Sequence, residues 1–247
     1  MPEREVELWT TALFNRFLAA PLDALLTAIG RPPADPAHPW ENWLVMEIVV
    51  VAVIVVLFAY LRSRLSVDKP GKMQLTFEAV YKFIAGQAAE SVEHHSGKYI
   101  SFFGTVFIFI LFMNLIGIVP GFDSPTGTPA VPLAFAVAVF LYYHWMGLRE
   151  HGVGKYLAHF AGPVLWLAPI MIPIELISHF ARPLSLTVRL FANMFAGERV
   201  VLTFLSLTYL VLPAVFMGLH VFVAFLQAYI FMLLAMVYVG NATAHEH

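Results

Sequence analysis

From Phe160 to Val239 the chain runs for about 80 mostly apolar residues, with Pro163, Pro169, Pro173, Pro183 and Pro213 as the only strong breakers. Divided into two helices of about 35 residues, each would be about 50 Å long at 1.5 Å per residue, against a hydrocarbon core of about 30 Å. Such helices must be strongly tilted, kinked or partly outside the lipid, with the turn between them expected near Pro213, beside Thr208 and Tyr209. Composition agrees with a lipid solvent: of 247 residues, 60% are hydrophobic and only 12% charged, where soluble domains carry about 25% charge. A disordered chain, a nucleic-acid binder and an ordinary cytosolic enzyme are excluded. The absence of cysteine excludes disulfides, thiolate metal sites and a cysteine nucleophile.

Three further apolar runs lie upstream. Trp43 to Leu61 is broken only by Glu47, Tyr99 to Val119 follows, and Ala130 to Leu148 is the third. The expected architecture is therefore an all-α membrane protein with about five to six membrane helices: spans near 43–61, 99–119 and 130–148, then a long helical hairpin over 160–239, all within an integral domain 41–247. Residues 1–40 form a separate peripheral segment. Within it, residues 8–29 place Leu8, Trp9, Leu13, Phe17, Leu22 and Leu25 among polar residues, as in an amphipathic helix at the interface or one packed on protein. Arg62, Arg64, Lys69, Lys72, Lys82 and Lys98 separate the first two spans, Pro120–Pro129 carries no basic residue, and Arg149 and Lys155 follow the third span. Basic residues in short loops mark the cytoplasmic side, which predicts an external N-terminus and a cytoplasmic C-terminus.

Against this background Arg189 stands out, because an arginine at the centre of a membrane helix costs about 2.5–3.5 kcal/mol on insertion scales. Helical spacing puts Arg182 within about 20°, and Glu175, Ser185 and Asn193 within about 40°, of the same face. That polar stripe reads as a water-lined or partner-facing wall; a snorkelling or carbonyl-pinned arginine is the structural alternative. Glu198 falls about 180° away and is expected to point at the following helix. There His220 and Gln227, seven residues apart, share a face, and imidazole can both accept and donate a proton near neutral pH. They suit a relay with Glu198, or simply interhelical hydrogen bonds. Asn114, in FMNLIGIVPG, lines an aqueous path or bonds another helix. His94, His95, His151 and His159 are expected in loops without metal-ligand spacing, and no phosphate-cradling loop, dinucleotide fingerprint or nucleophile elbow occurs. No metal or cofactor is expected.

The stretch RPLSLTVRLFANMFAGE, residues 182–198, resembles the signature segment of subunit a of the F-type ATP synthase. PGKMQ (70–74), FMNLIGIVPG (112–121), PIELISHFARPLSL (173–186) and LQAYIFMLLAMVYV (226–239) resemble the same family in order and spacing. The loop 121–131 lacks the longer asparagine-containing stretch of some relatives. The resemblance implies a non-catalytic, proton-translocating stator beside a ring of c subunits, with peripheral-stalk b subunits and lipid as further partners and no nucleic acid. It implies that Arg189 faces the c-ring carboxylate, with Asn193 beside it. Glu198, His220 and Gln227 would belong to the half-channel open to the outside, and Glu175 to the path toward the cytoplasm, with Ser185 on the same helix. It also implies that the last two helices curve around the ring, in a bacterial plasma membrane or, alternatively, an organelle energy-coupling membrane. The competing class is a secondary ion-coupled transporter, whose broken helices and midplane charges also explain an arginine; residues 1–155 contain no repeat of the Arg189 segment.

Overall fold

The structure, a computed structural model, describes residues 7–30, 32–33, 35–92, 96–119, 121–159, 167–208 and 211–244. Among them the regular structure is entirely helical: α1 (Trp9–Ala28), α2 (Asn42–Ser63), α3 (Lys72–Ser91), α4 (Ile100–Ile116), α5 (Ala130–His159), α6 (Ala168–Leu207) and α7 (Val211–Thr243). Four of these, α2, α5, α6 and α7, are long and apolar enough to cross a membrane, and α4 is a shorter apolar helix. A single 3-10 turn, Pro125–Gly127, sits between α4 and α5.

The core lies where α4, α5 and α6 meet α7. On α7 the buried positions Ala224, Gln227, Ala228, Phe231, Met232, Ala235, Met236 and Val239 repeat every three or four residues, so one face is committed to protein. Lipid is as apolar as leucine, so helices associate in a membrane through close packing and polar contacts, and the alanines let neighbouring backbones approach. Gly147 and Gly240 serve the same purpose. An added Cβ would lie 2.9 Å from the Ala242 carbonyl oxygen at Gly147 and 2.3 Å from the Ser91 carbonyl oxygen at Gly240. On α6 the buried set His179, Leu186, Leu190 and Met194 occupies one stripe. Ile170, Ile174, Ile177, Phe180, Leu184 and Val188 leave the rest of that helix apolar and exposed.

At 40 residues, α6 is about 60 Å long, twice a hydrocarbon core. Pro173 and Pro183 lie inside it, and the Thr187 hydroxyl donates to the Pro183 carbonyl at 2.8 Å. The break of the hairpin falls where expected, beside Thr208 and Tyr209: α6 ends at Leu207 and α7 begins at Val211. Pro213 falls in the first turn of α7, where its missing N–H leaves no intrahelical bond unmade. The basic stretch after α2 was expected to be a loop, but most of it is α3, whose Gln74 side chain donates to the Ser66 carbonyl at 3.0 Å. The third span also continues past Leu148. It carries His151 to a kink at Gly152, whose φ of 75° only glycine adopts readily; His159 closes α5, and His94 and His95 lie outside the described residues. On α1 the polar Thr10, Thr11 and Asn15 face protein, while Trp9, Leu13, Phe17 and Leu25 are exposed.

Candidate functional site

The polar residues of the bundle separate into two clusters near opposite ends of α6, with Arg189 between them. Arg189 is half-buried and has neither a hydrogen bond nor an ion pair among the described residues. One turn on, the Asn193 amide donates to Oε1 of Gln227 at 2.8 Å, joining α6 to α7. Ser185 lies exposed on the same helix. The stripe drawn from helical spacing thus runs along the margin between the packed and open faces of α6.

The first cluster surrounds Glu198. Helix α6 continues unbroken through Gly197, and the carboxylate turns toward the 125–127 turn as well as toward α7. The Ser124 backbone N–H donates to Glu198 Oε1 at 3.1 Å, and an added Cβ on Gly117 or Gly127 would come within 2.9 Å or 3.1 Å of that carboxylate. Glycines on two sides therefore make the space in which it sits. A cavity of about 120 Å³ is lined by Glu198, His220, Asp123 and Met217. His220 is 5% exposed and lies against Gly197. Neither of its ring nitrogens has a protein partner among the described residues, and the same holds for the Gln227 amide nitrogen. A buried polar group left unpaired costs about 1–3 kcal/mol, and the adjoining cavity of about 120 Å³ has room for water to satisfy the ring. The expected relay partners, Glu198 and His220, line one cavity.

The turn beside Glu198 is fixed from behind. The Ser124 hydroxyl donates to the Met113 carbonyl at 3.0 Å and the Thr126 hydroxyl to the Asn114 amide oxygen at 2.7 Å, while the Asn114 amide donates to the Ala224 carbonyl at 3.1 Å. Asn114 is fully buried. Its contacts make it a brace between α4, the turn and α7.

The second cluster escaped the sequence reading except for Glu175 and Arg182. Glu175 Oε1 lies 3.2 Å from His179 Nε2, and His179 Nδ1 lies 2.9 Å from the Tyr143 hydroxyl on α5. His144 Nδ1 pairs with the Tyr156 hydroxyl at 2.7 Å, and the His144 and His179 ring centroids are 4.9 Å apart. The Arg182 guanidinium lies 5.9 Å and 5.1 Å from the ring centroids of Tyr143 and Tyr238. The four-residue step from Glu175 to His179 was a usable sequence signal; the approach of His144 depends on how α5 meets α6.

Among the described residues no group of three or more His, Asp or Glu is arranged to hold a metal. The arrangement suits ion movement: two polar clusters, one unpaired cation between them and an open apolar face alongside.

Comparison with known proteins agrees. A family model described as ATP synthase A chain matches residues 44–240. The chain is 61% identical to ATP synthase subunit a of Solibacter usitatus (strain Ellin6076) over 235 residues, covering 95% of this chain and all of that protein. It is 48% identical to ATP synthase subunit a of Koribacter versatilis (strain Ellin345), covering 98% of each chain. A third relative, ATP synthase subunit a of Geotalea daltonii, is 39% identical over 90% of this chain and 94% of its own length. With its signature helix carrying the unpaired Arg189 and the match covering nearly the whole chain, the protein belongs to the ATP synthase A chain family.

Proposed function

We propose that the chain is the stationary membrane subunit of an ATP synthase Fo sector, carrying protons to and from the carboxylates of a rotating c-ring through two half-channels. The observation that carries this reading is the half-buried Arg189 without a protein counter-ion, placed between the Glu198–His220 cavity and the Glu175–His179 cluster. An unpaired guanidinium beside lipid is costly, and a carboxylate on each passing c subunit supplies its counter-charge. The cation in turn favours the ionised form of that carboxylate, as an opposite charge within about 4–6 Å does. It also blocks direct passage of a proton between the two clusters.

In this reading Glu198 and His220 serve the outer half-channel, with Asn193 and Gln227 beside the arginine and Asn114 bracing the wall. Glu175 serves the inner half-channel, and Ser185 lies on the face turned to the ring. A proton crossing 100 mV releases about 2.3 kcal/mol, and alternate neutralisation and ionisation of the ring carboxylates converts that into rotation. No covalent chemistry is assigned to this chain. The exposed apolar face of α6 is the surface on which the ring turns, with the last two helices tilted and curved along it. Peripheral-stalk b subunits and lipid complete the surroundings. The basic residues around α3 and after α5 support a cytoplasmic location for that end, in a bacterial plasma membrane with the N-terminus outside.

The test is ATP-driven proton pumping in inverted membrane vesicles, together with copurification of a ring of small two-helix subunits. Arg189→Ala abolishes pumping while the ring still copurifies. Full pumping by that variant, or purification with no ring, overturns the reading.

A further inference from the structure

The inner cluster is more elaborate than a single carboxylate requires. Glu175 is one-third exposed while His179, one turn along the same helix, is 10% exposed by its side chain. A buried imidazole thus stands behind a partly solvated acid. Both its nitrogens are engaged: Nε2 lies 3.2 Å from Glu175 Oε1 and Nδ1 lies 2.9 Å from the Tyr143 hydroxyl. A carboxylate only accepts, so Nε2 carries the hydrogen and Nδ1 accepts from tyrosine, which fixes one tautomer. The resulting chain runs from the interior of the α5–α6 contact, through the ring, to a group in reach of water.

The groups facing His179 are Glu175 and Arg182 on α6, Tyr143, His144 and Tyr156 on α5, and Tyr238 on α7. The Arg182 cation, held over the Tyr143 and Tyr238 rings, opposes a lasting second charge on the imidazole. A second proton on the ring is therefore held only briefly, with Glu175 and Tyr143 as the neighbours that can take it.

We propose that His179 is a proton-transfer residue of the inner half-channel, passing protons from the Tyr143 hydroxyl to Glu175. This rests on the half-channel reading above. In the step, the Tyr143 O–H bond breaks as an Nδ1–H bond forms, and the phenol oxygen takes a replacement proton from a hydronium on the ring side. The Nε2–H bond then breaks as the Glu175 oxygen gains that proton, which it releases to inner water. One proton moves and no net charge remains on the ring, which is left with its hydrogen on Nδ1; the Nε2–H form returns by proton exchange with water, which takes the Nδ1 hydrogen and gives one to Nε2 before the next transfer.

The experiment uses the whole synthase in inverted vesicles, measuring ATP-driven pumping, passive proton flux after removal of the soluble head, and rescue by added imidazole. His179→Gln keeps an amide able to bond Glu175 and Tyr143 but unable to relay a proton. Flux falls about tenfold or more, consistent with the usual size of positioned proton transfer, and added imidazole restores part of it. Tyr143→Phe keeps the ring packing, removes only the hydroxyl and also lowers flux, which decides the matter if His179→Gln fails to assemble. Wild-type flux in assembled His179→Gln, or in Tyr143→Phe, overturns the proposal, as does a loss that imidazole leaves unchanged. Arg189→Ala is run alongside. If it uncouples pumping while both relay variants behave as wild type, only the relay fails; if it pumps normally, the half-channel reading itself fails.

Discussion

The contact between Gly197 and His220 permits the sharpest test of the outer cluster. A Cβ added at Gly197 would lie 2.2 Å from His220 Nδ1 and 2.7 Å from Cε1, so in Gly197→Ala the ring must retreat by about 1.2 Å to reach the 3.4 Å of ordinary contact. Overpacking of this kind costs about 1–3 kcal/mol, while alanine recovers about 1 kcal/mol over glycine inside a helix. The variant therefore loses at most about 2 kcal/mol and should assemble. Function should suffer more, because a misplacement of about 1 Å can cost about a hundredfold where geometry governs transfer. We expect ATP-driven pumping to drop at least tenfold with normal amounts of subunit in the membrane. Gly218→Ala is the control: it lies on α7 with nothing within 4 Å of the added Cβ, and it should pump like wild type. Normal pumping by Gly197→Ala would refute the assignment of His220 to the proton path, because the ring would then work from a displaced position.

Arg189→Lys should impair coupling despite conserving formal charge, because a buried lysine can lose its proton and a guanidinium does not; tight coupling in a pumping assay would contradict this. Glu198→Gln should slow proton uptake by tenfold or more while keeping the fold, since the amide oxygen can still accept from the Ser124 N–H; an unchanged rate would leave Glu198 a structural residue. Gly240→Ala should reduce the amount of assembled subunit detected by immunoblot, because its Cβ meets the Ser91 carbonyl oxygen at 2.3 Å and backbone cannot step aside as a side chain can. Asn114→Ala should lower thermal stability by about 1–3 kcal/mol through the bonds it leaves unmade, with residual flux tracking the amount of folded complex; loss of flux at unchanged stability would return Asn114 to the path itself.

What the sequence made legible follows from how local each signal is. The side-by-side placement of His220 and Gln227, both buried on α7, needed only the pitch of a helix. The apolar runs around α2, α4 and α5 were equally local. Helix α3 was hidden because its polar residues resembled a basic loop, and its stability comes from packing on α4 and α7. The surroundings of Glu198 were hidden for a different reason. Its backbone donor, Ser124, is 74 residues away in sequence, in a turn whose approach to α6 no periodicity encodes. His144 and His179 lie on different helices, and their proximity is a property of the α5–α6 packing alone.

The open face of α6 has a mechanical consequence. Hydrocarbon tails and apolar side chains offer leucine, isoleucine and phenylalanine nearly the same environment, so a rotor helix sliding over Ile174, Ile177, Leu184 and Val188 exchanges one greasy surface for another at little free-energy cost. Under the proposed stator function, most of that bearing would offer little resistance, and the landscape along the rotation angle would be steep only where Arg189 stands. Torque and braking would then be concentrated at Arg189, and how firmly that side chain is held would set the stiffness of the stator.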